Sequence, residues 1–304
     1  MSDEKHLKAI ERSIRDIRQL LPRVIATINA VGDQLDRLGV KISENERKYF
    51  ASYWKRYAYE HLLIKIRILI ENNFRYIESL SLLATSRYIF EALVWARTIQ
   101  KDERYSLVLY HQLAVNSVQQ AMEHKNKVED EILLFEHLSA EEDKLTKTLP
   151  KEDFNAENLQ FIEDEIDRRA RREFSIYAED AKLNGHSFQA YLLRQKGLVQ
   201  IDARIVTVAL EQKNLEDRLA PDVRQLTKLR WNWRQQAKSV GMDKQYDFIY
   251  SHTSRMLHAT PFSFIVNQKN LELNETHMFL EYVYVSLLDM IELVENAIGI
   301  SNQH

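Results

Sequence analysis

Only six Gly and four Pro occur in 304 residues. Average usage would put roughly 36 of the two together in a chain of this length. Tight turns rely on these residues, so architectures that reverse direction every few residues are disfavoured. All-β folds and most doubly wound sheets recede on that ground, and an all-α fold is expected. The six glycines, Gly32, Gly39, Gly185, Gly197, Gly241 and Gly299, are never closer than seven residues apart. A dinucleotide fingerprint or a Walker A loop crowds its glycines so that backbone can approach phosphate, and neither fits that spacing. At 45% hydrophobic and 29% charged residues, the chain has the composition of a globular protein.

There is no Cys. Thiol nucleophiles, disulfides and thiolate zinc sites are therefore excluded. None of the ten His has a Glu three residues before it, so the Glu-x-x-His pairs of carboxylate-bundle iron proteins are missing. No metal and no cofactor is expected. The first residues, MSDEKHLKAIERS, carry charge from the third position and hold no apolar core. The most apolar stretch, between Glu78 and Arg97, is broken by Arg87 and Glu91, so no membrane span is expected. A reduced, cytoplasmic protein is the economical expectation.

Leu7, Ile10, Ile14, Ile17, Leu21, Val24, Ile28, Val31, Leu35 and Leu38 follow one another at alternating steps of three and four. That spacing predicts one long helical arm over 1–42, kinked at Pro22, with its stripe on its own core or on a second copy. The remainder, 43–304, reads as a helical core, giving a bundle of about eight or nine helices. Ser43-Glu44-Asn45-Glu46 and Ser139-Ala140-Glu141-Glu142 read as capping boxes that open helices. Helix ends are expected at Asn72-Asn73, Lys101-Asp102, Asn184-Gly185, Ala220-Pro221, Val240-Gly241 and Thr260-Pro261. Residues 123–167 hold 15 acidic and 5 basic side chains, which marks an acidic helical insertion at about 123–185. Residues 274–299 form a last, strongly apolar helix.

Three constellations could carry chemistry. Between Glu78 and Arg97 the only charges are Arg87 and Glu91, one turn apart on a helix apolar in nearly every direction. Charged groups in such a helix must find partners, either as an internal ion pair or as a ligand-binding pair. Residues 246–258, YDFIYSHTSRMLH, project Asp247, Ser251, Ser254 and His258 onto one polar stripe, with Tyr246 and Tyr250 on the other side. Acid, hydroxyl and imidazole on one face is a set for proton transfer. Residues 222–240 read as one amphipathic helix, with Leu226, Leu229, Trp233 and Val240 inside and Arg224, Lys228, Trp231, Arg234 and Lys238 outside. No acid lies between Asp222 and Asp243, so phosphates could meet the cations and a base the indole. The bland counterpart is a solvated face covered by the acidic insertion.

Ser86-Arg87-Tyr88-Ile89-Phe90-Glu91, together with Tyr246-x3-Tyr250-Ser251-x6-His258-Ala259-Thr260-Pro261, resembles a family of uncharacterised bacterial helical proteins. More distantly, the chain is similar to the HEPN superfamily of compact helical domains, many of them metal-independent ribonucleases. Their signature is an Arg followed, after four to six residues, by a His. Arg56-x4-His61 and Arg104-x6-His111 fit that spacing, whereas Arg255-x2-His258 is shorter than the pattern. The resemblance implies RNA or nucleotide binding, with metal-free cleavage, in defence or stress response. His258 would move the proton, Arg87 or Arg255 would hold phosphate, and Glu91, Tyr250 and Ser251 would complete the site. A homo-oligomer is expected. The rival expectation is a non-catalytic interaction module that binds a protein through the arm or the acidic insertion, with a structural Arg87–Glu91 pair.

Overall fold

A computed structural model describes residues 2–47, 49–75, 77–257 and 271–300. The chain is all-α, with no strand among the described residues. Its helices are α1 (Ser2–Gln19), α2 (Leu21–Lys41), α3 (Glu44–Arg47), α4 (Ala51–Asn73), α5 (Ser79–Lys101) and α6 (Arg104–Thr148). There follow α7 (Ala156–Arg172), α8 (Ala178–Asn184), α9 (His186–Leu192), α10 (Leu198–Arg218), α11 (Pro221–Thr227) and α12 (Trp233–Ser239). The last are α13 (Asp243–Gln245), α14 (Ser251–Leu257) and α15 (Leu273–Ile298). With runs joined across single turns and π-helical stretches, and the one-turn α3 set aside, the described residues form eleven helices rather than eight or nine.

The chain divides into two compact units, residues 1–110 with 218–304 and residues 111–217. In the first, the long N-terminal helix is present and docks on its own chain, α1 along α15 and α2 along α4. Leu20 is its one turn residue, bonded back to Ile17 at 3.2 Å. The interruption falls there because Pro22, at the start of α2, has no N–H to give the preceding turn. Of the stripe, Ile10, Ile17, Val24, Val31 and Leu35 are buried, so the three-and-four spacing marks the inward face there, while Leu7 at the start of α1 is exposed. α5 lies along α15 at the centre, where Phe90 and Phe279 are fully enclosed.

In the second unit, α6 to α10 bury Val128, Ile132, Phe135, Ile162, Ile166 and Ile201 around one core. Glu131 is fully buried there. Its carboxylate accepts from the Ile176 N–H at 2.9 Å, lies 2.8 Å from Lys127 Nζ, and takes the Ser175 hydroxyl. Those bonds pin the turn in which Phe174 adopts a left-handed φ of 53°, unusual for a residue with a large side chain.

Three sequence expectations are corrected. Ser43 Oγ donates to the Glu46 carboxylate at 2.7 Å, a bond between side chains, and only the single turn α3 follows. The long helix starts at Ala51, with Phe50 as its cap residue. No helix begins at Ser139, because α6 runs on without a break. Leu138 is buried and Glu141 bonds to Arg169 at 2.8 Å, so packing continues straight through the local cap signal. Residues 222–240 are two short helices, α11 and α12, and the single amphipathic face does not exist. Asn232 caps α12, accepting from the Gln235 N–H at 3.0 Å, and Asn232 is the stop-and-start signal within that stretch. No helix among the described residues is long and apolar enough to cross a membrane.

Candidate functional site

Arg87 and Glu91 stand one turn apart on α5, and Tyr250 and Ser254 stand one turn apart where a π-helical stretch (Tyr246–Tyr250) runs into α14. Each pair therefore shares a face. The second segment packs on α5, and the two faces meet. Arg87 donates from Nε to Glu91 Oε1 at 3.0 Å, from one terminal nitrogen to the Tyr250 hydroxyl at 3.2 Å, and from the other to Ser254 Oγ at 3.4 Å. Its guanidinium carbon lies 4.6 Å from the centre of the Tyr250 ring. Tyr250 is in turn stacked on Tyr246 at 4.9 Å, and both rings lean on Phe90. A cation on an aromatic face with two hydroxyls at its edge is an orienting device for the guanidinium. The Arg87 side chain keeps 24% of its surface exposed.

The other site residues fall elsewhere. Arg255 is exposed and donates from Nε to the Ser251 carbonyl at 3.3 Å, within its own helical turn. Asp247 is exposed, 3.6 Å from Arg234. His252, the one described imidazole of the segment, packs between Phe248 and Phe279. His258 and the Thr260-Pro261 boundary lie outside the described residues. The residues of the two Arg/His spacings are engaged by other groups of the chain. Arg56 donates to Gln34 and the Ser52 carbonyl, and His61 Nδ1 lies 3.0 Å from the Tyr57 carbonyl. Arg104 is clasped by Asp102 and Asp222, which hold its guanidinium above the usual arginine range. His111 Nε2 sits 3.1 Å from Glu216 Oε1.

Trp231 corrects the expectation of an exposed indole. It stacks on Trp95 at 3.6 Å between ring centres and 11° between planes, with Trp233 edge-on at 5.5 Å. Reaching Trp95 is what interrupts the helix between Thr227 and Trp233. Leu229, assigned inward, is instead exposed. Arg224, Lys228, Arg234 and Lys238 are exposed but spread over two helices and the segment between them. Trp231→Ala should therefore cost about 2 kcal/mol in a urea melt and remove near-ultraviolet dichroism from the stacked indoles. A cost within about 0.5 kcal/mol, usual for an exposed side chain, would contradict the stack.

The sequence reading passed over His186. It is buried, with Glu142 at 3.5 Å from Nδ1 and Asp167 at 3.6 Å from Nε2. An imidazole between two carboxylates from α6 and α7 has no signature in a single sequence, since 19 and 44 residues separate the partners. Among the described residues no group of three or more His, Asp or Glu could hold a metal ion. No family model, curated protein or solved structure matches the chain.

Proposed function

We propose that this chain is a HEPN-like helical protein that binds RNA or a nucleotide, with Arg87 as the group that takes the phosphate. One observation carries the reading: a partly exposed guanidinium, held over the Tyr250 ring and edged by two hydroxyls. A phosphate oxygen arriving at that edge would take the two terminal nitrogens, and the Tyr250 and Ser254 hydroxyls would turn to donate to it. Glu91 keeps Nε engaged, which fixes the plane of the fork. Cleavage, if it accompanies binding, falls to His258 as the proton-transfer group.

Binding of labelled RNA pools and free nucleotides in chelator tests this, with a salt series. Losing a charge-assisted contact is worth about 1.5–3 kcal/mol, so Arg87→Ala should weaken binding roughly tenfold or more. It should also flatten the salt dependence by about 0.7 for a single-stranded ligand. Unchanged affinity in a folded Arg87→Ala protein sinks the reading. Product formed by the wild type and absent with His258→Ala would add the cleavage step, and equal product from both removes His258 from it.

A second reading has its own support. Every nitrogen of Arg87 already has a partner within the chain, as in a structural clamp between α5 and α14. On that reading the protein is a non-catalytic interaction module. Arg87→Ala would then lower stability without touching any ligand.

A further inference from the structure

Trp231 and Trp233 stand on either side of Asn232, where the chain enters α12. Asn232 is extended, with φ −125° and ψ 109°. Extended backbone turns the side chains before and after a residue to one side. The two indoles therefore share a side, but they are held differently. Trp231 stacks on Trp95 of α5 and anchors the segment. Trp233 stands nearly perpendicular to Trp231, at 83°, and reaches Tyr250 at 6.4 Å with 34° between the planes. The sequence pattern puts Trp233 on an inward face, yet it keeps part of its surface in solvent.

Trp233 thus borders the Arg87 site. The Arg87 guanidinium carbon lies 4.6 Å from the Tyr250 ring centre, and the Trp233 ring follows 6.4 Å from that same centre. Those two short steps are comparable to the reach from phosphate to base within one nucleotide. The charge nearby has the matching sign. Arg230 and Arg234 bracket the two indoles in sequence and are exposed, Arg234 with 73% of its side chain. Arg255, next to Ser254, is exposed as well. Two acids stand in the same region, and both have partners: Glu91 accepts from Arg87, and Asp247 lies 3.6 Å from Arg234. A partly exposed aromatic ring among cations is what single-stranded nucleic-acid sites are built from.

We infer, resting on the assignment of phosphate to Arg87, that Trp233 is the stacking platform for the base of the same nucleotide. The ligand is then unpaired, single-stranded RNA. In a duplex the bases are paired and stacked on their neighbours, and the indole could meet one only after it had been pulled out of the stack. Stacking on an indole tolerates every base, so the site selects for strandedness more than for sequence. The two tryptophans divide the work. Trp231, fixed against Trp95, holds the segment still, and a ring held in place beforehand loses little freedom when a base arrives.

Three probes test this with the full chain: a short oligouridylate, an abasic strand of equal length, and the same oligouridylate annealed to its complement. The wild type should bind the single strand about fivefold or more tightly than the abasic strand, as one stacked base provides. It should prefer the single strand to the duplex by at least as much. Trp233→Leu should erase the preference for bases and leave abasic binding unchanged, whereas Arg87→Ala should weaken both single strands by one factor. The phosphate reading and the platform fail separately. Abasic binding indifferent to Arg87→Ala removes the first, and a base preference that survives Trp233→Leu removes the second alone. Equal losses on both strands in Trp233→Leu would make the indole a support for Arg87 and overturn the platform too. So would a duplex bound as tightly as the single strand. Trp233→Phe keeps a ring in place where leucine is not tolerated. Oligouridylate should quench tryptophan emission in the wild type and not in Trp233→Phe, and equal quenching in the two overturns the inference.

Discussion

A chain lacking residues 2–41 should show no cooperative unfolding transition. The buried apolar side chains of α1, α2 and the turn between them are Ile10, Ile17, Leu20, Val24, Val31 and Leu35. At about 1.5–3 kcal/mol each, their burial is worth roughly 9–18 kcal/mol, against the 5–15 kcal/mol that separates most folded domains from unfolded ones. Losing the arm relieves the chain of ordering some forty residues, but it also strips the cover from α15 and α4. The truncated protein should therefore aggregate, or bind a hydrophobic dye while keeping much of its far-ultraviolet dichroism. A sharp urea transition with a midpoint near that of the full chain would show that the arm is an appendage and not part of the core.

The arm was legible because its periodicity extends over ten apolar positions and needs no tertiary information. Gly185, at φ 84°, and Pro221, in a first helical turn, were legible for a related reason: backbone chemistry alone fixes their place. What escaped were features set by partners far away in sequence. α11 and α12 look like one amphipathic helix until Trp231 finds Trp95, and packing of two indoles outweighs the few hydrogen bonds given up between Thr227 and Trp233. The π turns at 193–197 and 246–250 have no local signature, since they exist to re-aim a face toward something non-local. At the candidate site, the need for polar company around Arg87 and Glu91 could be read from an otherwise apolar helix. Tyr250 was assigned to the apolar side of its segment, yet its hydroxyl reaches Arg87 while its ring stacks on Tyr246. Projection onto a plain α-helix could not show that a phenol serves both faces.

Arg23→Ala should be among the most damaging single substitutions in the chain, costing about 3–5 kcal/mol. Glu295 on α15 is nearly enclosed, its side chain 6% exposed, and receives two bonds from Arg23 at 2.9 and 2.6 Å and one from the Thr27 hydroxyl at 3.1 Å. The hydrogen bond with Glu295 holds the Arg23 guanidinium above the usual arginine range. The two partners are not equivalent. Arg23 is 27% exposed and has Glu292 at 3.9 Å, so without Glu295 it can turn to water and a second carboxylate. Without Arg23, the nearly enclosed Glu295 loses its nearest cation and two of the hydrogen bonds that hold its charge. Arg23→Ala should therefore exceed Glu295→Leu in cost, and the double variant Arg23→Leu with Glu295→Leu should recover most of the loss, because two apolar side chains suit the site better than one charge. The pH dependence separates this from a packing defect. A stranded carboxyl has its folded-state pKa raised above the unfolded value, so the destabilisation is fully present above that raised pKa. It fades as pH falls through the raised pKa and is gone below the unfolded value. Urea melts of Arg23→Ala between pH 4 and pH 8 should therefore converge on the wild type at the acid end. A deficit that is constant across that range would mean that lost packing, not a buried charge, is what Arg23 prevents.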